Sequence, residues 1–149
     1  WQLAPIIRAT TGAPFTVTTG LDNSLTALGT DRPNFIGGNI YLNTHPVSNT
    51  NLNPNSLDVT KFTANPLGTY GNSPRNGFVG PKYFNIDTAL SRSFPLHERL
   101  AMTLRLEAFN VLNHPNFGNP SVNLNSGSFG RIGSAQAARI FQGAVKVNF

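Results

Sequence analysis

Alternation of apolar and polar residues with a period of two constrains this sequence more than any other feature. The alternation appears in four segments, at about residues 2–19, 83–94, 100–112 and 139–149. Successive side chains of a β-strand point to opposite faces, so each segment is predicted to be a strand with one apolar face. The fold class that follows is all-β, with about four antiparallel strands and long loops.

The second and third segments form the clearest predicted hairpin. Their alternating apolar residues are Phe84, Ile86, Leu90 and Phe94, then Leu100, Met102, Leu104, Leu106 and Ala108. The short connection Pro95–Arg99 predicts a tight turn between the two strands. The last segment continues the same pattern up to the final residue, Phe149.

The first segment has a weaker pattern. Gln2–Thr10 alternates, but it contains Pro5, which lacks the N–H that a strand donates to its neighbour. After the break Gly12-Ala13-Pro14, the strand is predicted to resume over Phe15–Thr19.

The connections between the predicted strands are long, short and long. Residues 20–81 are rich in Asn, Gly, Pro and Thr and show little periodicity, and 113–133 is a second polar loop. A structureless loop of some 60 residues is unusual in a compact domain. Long external loops and short periplasmic turns are typical of transmembrane β-barrels, which places 20–81 outside the cell in this interpretation.

A membrane setting also explains the two faces of the predicted strands. Only 11% of the residues are charged, against ~25% in an ordinary soluble domain. No window approaches the ~18 consecutive apolar residues of a transmembrane helix. The apolar rows would face lipid, and the charged residues predicted to face a polar lumen are Arg8, Asp87, Arg105, Glu107 and Lys146.

Two observations qualify this picture of the faces. Arg92 interrupts an apolar row, but it lies near a strand end, where the cost of a charge facing lipid is smaller. The residues predicted to belong to aromatic girdles at the membrane interfaces are Tyr83, Phe84 and Phe94 on one strand and Phe141 and Phe149 on the last. In a soluble β-sandwich the same aromatic residues would be core residues, and the sequence does not separate the two alternatives.

The residue types needed for catalysis or for metal binding do not occur in suitable patterns. The chain has no cysteine, and its three histidines, His45, His97 and His114, are far apart. Asp22 and Asp31 lack EF-hand spacing, and Asx turns explain such residues in loops. No nucleophile-elbow or phosphate-loop motif is present. We therefore predict no catalytic residue, no cofactor and no metal, and interpret Asp87 and Glu107 as lumenal rather than as an acid–base pair.

The basic net charge does not predict a nucleic-acid partner. The net charge is +5 and the isoelectric point is about 10.3. The eight Arg and three Lys residues are nevertheless spread from Arg8 to Lys146 without a cluster, and no aromatic-basic motif accompanies them.

Several motifs resemble those of a known family. They are Gly12–Val17, Gly68–Asn76, Gly80-Pro81, Asn85-Ile86-Asp87, Arg105–Gly118, Phe129–Ile132 and the terminal Phe149. The run Phe109-Asn110-Val111-Leu112-Asn113-His114-Pro115-Asn116-Phe117-Gly118 is the most specific of them. The chain resembles the C-terminal barrel region of TonB-dependent-receptor-like outer-membrane proteins of the Oar type.

The resemblance implies an outer-membrane location and a role in ligand uptake. It implies that residues 1–149 are part of a barrel with more strands and an N-terminal plug. The implied partners are outer-membrane lipid, the barrel-assembly machinery, the remaining barrel and plug, TonB through that plug, and a ligand whose class is open. A last strand of this kind resembles the assembly signal, here carried by Phe141, Val145, Val147 and Phe149.

Two alternatives remain at this point. The chain begins at Trp1 without a signal sequence, which favours a piece of a longer protein. A complete chain would favour a secreted, soluble β-sandwich that binds a glycan or a protein through its loops. A surface enzyme is the second and weaker alternative.

Overall fold

A computed structural model describes residues 1–27, 29–42 and 56–149. The strands are β1 (Gln2–Thr10), β2 (Pro14–Phe15), β3 (Asn34–Phe35), β4 (Phe62–Thr63), β5 (Phe78–Val79), β6 (Tyr83–His97), β7 (Leu100–Phe109) and β8 (Ile140–Asn148). One 3₁₀ turn, Val59–Lys61, precedes β4. The paired strands form antiparallel sheets, which confirms the predicted all-β class. Within the described ranges, no helix is long and apolar enough to cross a membrane.

The chain divides into two compact units. The first, which we call the sheet unit, comprises Trp1–Thr10, Lys82–Asn116 and Ala135–Phe149. The second, the loop unit, comprises Thr11–Pro81 and Phe117–Ser134. The four long strands all lie in the sheet unit, and the two-residue strands all lie in the loop unit.

The sheet unit is one four-stranded antiparallel sheet in the order β1-β6-β7-β8. Its register joins Leu3 to Leu90, Leu90 to Leu106, and Leu106 to Gly143. Directly paired residues lie on the same face, so these four form one row across the sheet. The same register continues along all four strands and therefore gives the whole sheet two chemically distinct faces.

The first strand is shorter than predicted. It ends at Thr10 and does not continue to residue 19, because the chain enters the loop unit after Thr10. There Pro14–Phe15 pairs with Phe78–Val79 in a separate two-stranded sheet. A side chain at Gly12 would clash with the Gly80 carbonyl, so glycine permits the close approach that redirects the chain.

The hairpin of β6 and β7 differs from its predicted bounds at two places. β6 extends to His97, which leaves Glu98-Arg99 as the turn, and a register shift between Pro95 and His97 accommodates the proline. β7 ends at Phe109 rather than at residue 112. The chain bends there because Asn110 adopts a left-handed backbone with φ of 50°.

The loop unit is not the structureless loop that the sequence predicts for residues 20–81. It contains an apolar core of Phe15, Val17, Ile40, Leu57, Phe62, Phe78 and Phe129. Phe62 meets Phe78 and Phe129 edge-on, with ring centroids 5.5 and 5.9 Å apart. The Asn-rich run 49–55 and His45 lie outside the described residues.

Candidate functional site

The register brings the five charged residues predicted to be lumenal to one face of the sheet unit. We call it the polar face; its charged members are Arg8, Asp87, Arg105, Glu107 and Lys146. Ser91 pairs with Arg105, and Thr103 pairs with Lys146, so polar residues also fill the positions between the charges. Side chains on this face alternate with those on the opposite face along every strand.

Glu107 joins β7 to β8 on the polar face. Its Oε1 lies 2.5 Å from Arg105 Nη2. Gln142 Nε2 donates a hydrogen bond to its Oε2 from β8. The Arg105 side chain is 57% exposed, so in water solvent would screen the ion pair and leave it little effect on stability. The pair and the amide form a polar ladder that connects β7 to β8.

Asp87 has a different set of partners and does not pair with Glu107. Its Oδ1 accepts hydrogen bonds from Asn85 Nδ2 at 2.7 Å and from the Asn110 backbone N–H at 2.8 Å. Asp87 therefore ties β6 to the point where β7 ends. The two carboxylates are engaged separately, which is the arrangement expected of structural polar residues rather than of an acid–base pair.

The opposite face, which we call the apolar face, is exposed although it is apolar. Leu3, Leu106, Phe141 and Val145 are each at least 60% exposed. Every residue of β1 and β8 is exposed as well. A continuous apolar surface that extends across four strands indicates contact with a membrane or with an apolar surface of another protein.

Phe84 and Phe94 mark two levels on the apolar face. Ten residues of one strand separate them. At ~3.3 Å per residue and a strand tilt of ~40°, they lie about 25 Å apart along the barrel axis. That distance equals the height of the apolar band that outer-membrane barrels present to lipid, ~25 Å. The two rings therefore lie where interfacial girdles are expected.

The predicted assembly residues lie on or beyond the last strand. Phe141, Val145 and Val147 are all on the apolar face of β8, and Phe149 follows its end, fully exposed. On the described residues β8 pairs on one side only, with β7. The other side of β8 presents backbone groups to which a further strand can pair.

Sequence reasoning did not identify the hydrogen-bonded asparagines at the end of β7. Asn110 Nδ2 donates to the carbonyls of His114 and Ala137, at 3.0 and 3.3 Å. Asn116 Oδ1 accepts from the Phe84 backbone N–H at 2.9 Å. Both asparagines are buried. They belong to the run 109–118 that carries the family resemblance, so the density of asparagine in that run is the signal that points to them.

The loop unit contains a polar cleft of about 440 Å³. It is lined by Thr16, Thr18, Thr30, Asp31, Arg32, Tyr70, Gly71 and Arg75. Arg32 is held in place because its Nη1 donates to the Ser73 carbonyl at 2.7 Å. Volumes of ~300–1,000 Å³ are typical of ligand sites. The cleft combines hydroxyl groups, two guanidinium groups and one exposed aromatic ring.

Asp31 fixes the wall of this cleft. The Ser24 backbone N–H donates to Asp31 Oδ2 at 2.5 Å, and the Ser24 hydroxyl donates to Oδ1 at 2.8 Å. These bonds favour the ionised carboxylate and hold the pKa of Asp31 below the ordinary 3.8. Asp22 accepts from the backbone N–H groups of Thr26 and Ala27, four and five residues further on, so hydrogen bonds within the loop engage its carboxylate.

The remaining titratable candidates are dispersed. His97 ends β6 and is exposed, whereas His114 lies beside Asn116, with its Nδ1 3.3 Å from Asn116 Oδ1. Among the residues described, no group of three or more His, Cys, Asp or Glu side chains is arranged to hold a metal ion.

Comparison with known proteins gives one result. The family described as "Outer membrane beta barrel domain" matches residues 1–142. This match covers the loop unit and the sheet unit except residues 143–149, which include most of β8. No curated protein and no solved structure matches the chain.

Proposed function

The chain belongs to the outer membrane beta barrel domain family, and from this premise we propose that it forms part of the wall of a TonB-dependent-receptor-like barrel that takes up a ligand. The family places the chain in the outer membrane, which argues against a secreted soluble sandwich. The observation that supports a barrel wall is the register, which collects most apolar side chains on one face and all the charged ones except Arg92 on the other across four strands.

The wall that these strands supply is partial. A closed transmembrane barrel needs at least about eight strands, and the sheet unit has four. We propose that residues 1–149 are the C-terminal part of the barrel, and that further strands and a plug complete it. The plug, and TonB through it, would supply the energy coupling, so the part of the chain described here is wall rather than enzyme.

The orientation follows from the lengths of the connections. The turn Glu98-Arg99 joins β6 and β7 at one end of the sheet. The long connections leave β1 and β7 at the other end. Short turns are periplasmic and long loops are extracellular in bacterial barrels. The loop unit is then extracellular, where its polar cleft has access to a ligand.

Surface labelling of introduced cysteines tests the orientation, since the chain has none of its own. Leu67, which is 72% exposed in the loop unit, is replaced by Cys in one variant. Glu98 in the turn is replaced in the matched control. A membrane-impermeant maleimide should label Leu67→Cys on intact cells, and Glu98→Cys only after the outer membrane is permeabilised. The reverse pattern, or labelling of both on intact cells, contradicts the proposal.

Loss of uptake tests the transport role. A strain that lacks the protein is compared with wild type for accumulation of labelled siderophores, oligosaccharides and peptides. We expect reduced uptake of one of these classes, and the same reduction when the proton-motive force of wild-type cells is dissipated. Unchanged uptake of all three classes contradicts the transport role but leaves the barrel itself unaffected.

The terminal phenylalanine tests the proposed assembly signal. Phe149→Asp introduces a charge at the end of the apolar row of β8 and should reduce insertion by the barrel-assembly machinery. The amount of protein in the outer membrane is measured against wild type, with Asn148→Asp as the matched control on the polar side. Wild-type abundance of Phe149→Asp would contradict the assigned role.

A further inference from the structure

Arg92 is a charged residue on the apolar face. Its register partner Leu104 and the next residue in that row, Val145, are both apolar. Among the residues described, no carboxylate forms an ion pair with Arg92, and Asp87 and Glu107 lie on the polar face. A guanidinium group on a lipid-facing surface is costly at the centre of a bilayer. Near a membrane interface this cost is smaller, and the guanidinium group is within reach of an anionic headgroup there.

The side chain of Arg92 points toward the end of the sheet that carries the Glu98-Arg99 turn. Its Cζ lies 4.8 Å from the ring centroid of Phe94, which is two residues nearer to the turn. It also lies 5.1 Å from the ring centroid of Trp1. Two cation–π contacts hold the guanidinium group between the rings at the level of a membrane interface. A guanidinium group donates pairs of hydrogen bonds to phosphate oxygens.

An apolar groove begins beside this group and extends away from the turn. Gly143 has no side chain, and the groove forms over it. One part, of about 170 Å³, is lined on the apolar face by Trp1, Leu104 and Val145. A second part, of about 450 Å³, reaches Thr88 and Phe141. Leu90, Leu106 and Gly143 line both parts, so the two are continuous.

We propose that this site binds a glycerophospholipid of the periplasmic leaflet. The phosphate group contacts Arg92 between Trp1 and Phe94, and one acyl chain lies in the groove over Gly143. The order of the parts supports this ligand, because the cation is nearer to the turn and the groove runs toward the middle of the apolar band. The assignment of the leaflet rests on the orientation proposed above.

Lipid retention tests the site on the protein as the cell makes it. The protein is extracted from outer membranes, placed in nanodiscs of phosphatidylethanolamine and phosphatidylglycerol, and examined by native mass spectrometry. Arg92→Gln removes the charge at similar side-chain length. Gly143→Leu fills the groove, and its Cβ would meet only ordinary contacts, the nearest being Leu106 Cδ2 at 3.4 Å. Lys146→Gln removes a charge from the polar face and is the matched control.

We expect Arg92→Gln and Gly143→Leu each to lower retained phosphatidylglycerol about tenfold, since each removes one of the two contacts. Lys146→Gln should retain as much as wild type, and excess inorganic phosphate should displace little of the lipid. Retention at the wild-type level in both variants overturns the site. Displacement by inorganic phosphate alone, or a loss confined to lipopolysaccharide, also overturns the assignment to a periplasmic glycerophospholipid.

Failure of this inference differs from failure of the proposed function. If the protein is labelled with the expected orientation and only the lipid result is negative, the barrel stands and the site does not. If Arg92→Gln does not assemble, Gly143→Leu and Arg92→Lys still decide the question. Arg92→Lys keeps the charge and should recover part of the retained lipid, whereas a merely structural arginine would give no such recovery.

Discussion

At the scale of single residues, hydrogen-bonded polar side chains define where strands end. Asn110 and Asn113 have positive φ angles of 50° and 52°; Asn110 follows β7 directly, and Asn113 lies three residues further on. Asn tolerates the left-handed region better than most residues because its short side chain bonds to nearby backbone groups. Here the side chain of Asn110 reaches His114 and Ala137, and that of Asn113 accepts from the Arg139 N–H at 3.1 Å.

We expect Asn110→Ala to destabilise the protein by about 2–3 kcal/mol, because it removes buried hydrogen bonds and places alanine at a positive φ. Asn110→Gly keeps the backbone conformation and should lower the free energy of unfolding by about 1 kcal/mol less than Asn110→Ala does. Asn113→Ala is the control, because it places alanine at a similar positive φ but at an exposed position, and it should cost less than Asn110→Ala. Urea unfolding in micelles measures all three. Equal costs for Asn110→Ala and Asn113→Ala would contradict the role assigned to the buried network.

Asp31 should make the loop unit sensitive to acid. A group whose pKa is lowered in the folded state contributes stability above its unfolded pKa and loses it as pH falls through the folded value. The pKa of Asp31 is lowered below 3.8. At pH 7, the amide hydrogens of Ser24 and its neighbours should therefore exchange with solvent faster in Asp31→Asn than in wild type. Well below pH 3.8 the difference should become smaller. An equal difference at both pH values would be inconsistent with this assignment.

At the scale of the strands, the two faces of the sheet follow from a register that is continuous up to Pro95. Leu3, Leu90 and Leu106 share a row, and the adjacent row on the other face contains Ala4, Ala89 and Glu107. A shift of one residue in any strand would exchange its faces. The turn Glu98-Arg99 and the irregularity after Pro95 therefore determine which side chains of β7 share a face with those of β6.

Leu106→Arg tests the lipid contact of the apolar face. Leu106 lies in a central row of that face and is 60% exposed. An arginine there should cost ~2–4 kcal/mol if the face meets the middle of the bilayer. Ala4→Arg, at nearly the same level but on the polar face, should cost less than about 1 kcal/mol. The folded fraction in bilayers is compared for both. Similar folded fractions would mean that the apolar face does not meet lipid.

At the scale of the whole molecule, the two units differ in whether their apolar side chains are buried or exposed. The loop unit buries an apolar core of its own. The sheet unit leaves β1 and β8 exposed on both faces, and on the described residues each pairs on one side only. Unpaired strand edges and an exposed apolar face promote association between copies.

We expect residues 1–149, produced alone in water, to aggregate rather than to form a stable monomer. In the barrel interpretation the apolar face of the four strands is buried only against lipid, so in water it stays exposed and both edges remain available for pairing. Light scattering and sedimentation of the chain with and without detergent measure the effect. A soluble monomer that unfolds cooperatively in urea would contradict the barrel interpretation.

The strands and their faces were largely predictable from the sequence. The alternation in 83–94, 100–112 and 139–149 located β6, β7 and β8 to within a few residues. The five charged residues were predicted to share a face, and the register places them together. The prediction of the faces succeeds because the orientation of a side chain on a strand depends only on its position in the local backbone.

The loop unit, the strand ends and the partners of the polar side chains were decided by the tertiary structure alone. Phe15, Phe62 and Phe129 form one core although more than 40 residues separate each from the next, and no local period records such contacts. β1 ends at Thr10 because Gly12 packs against Gly80, and β7 ends where Asp87 binds the Asn110 N–H. Local alternation determines which face a residue occupies, whereas contacts between distant segments determine where that alternation stops.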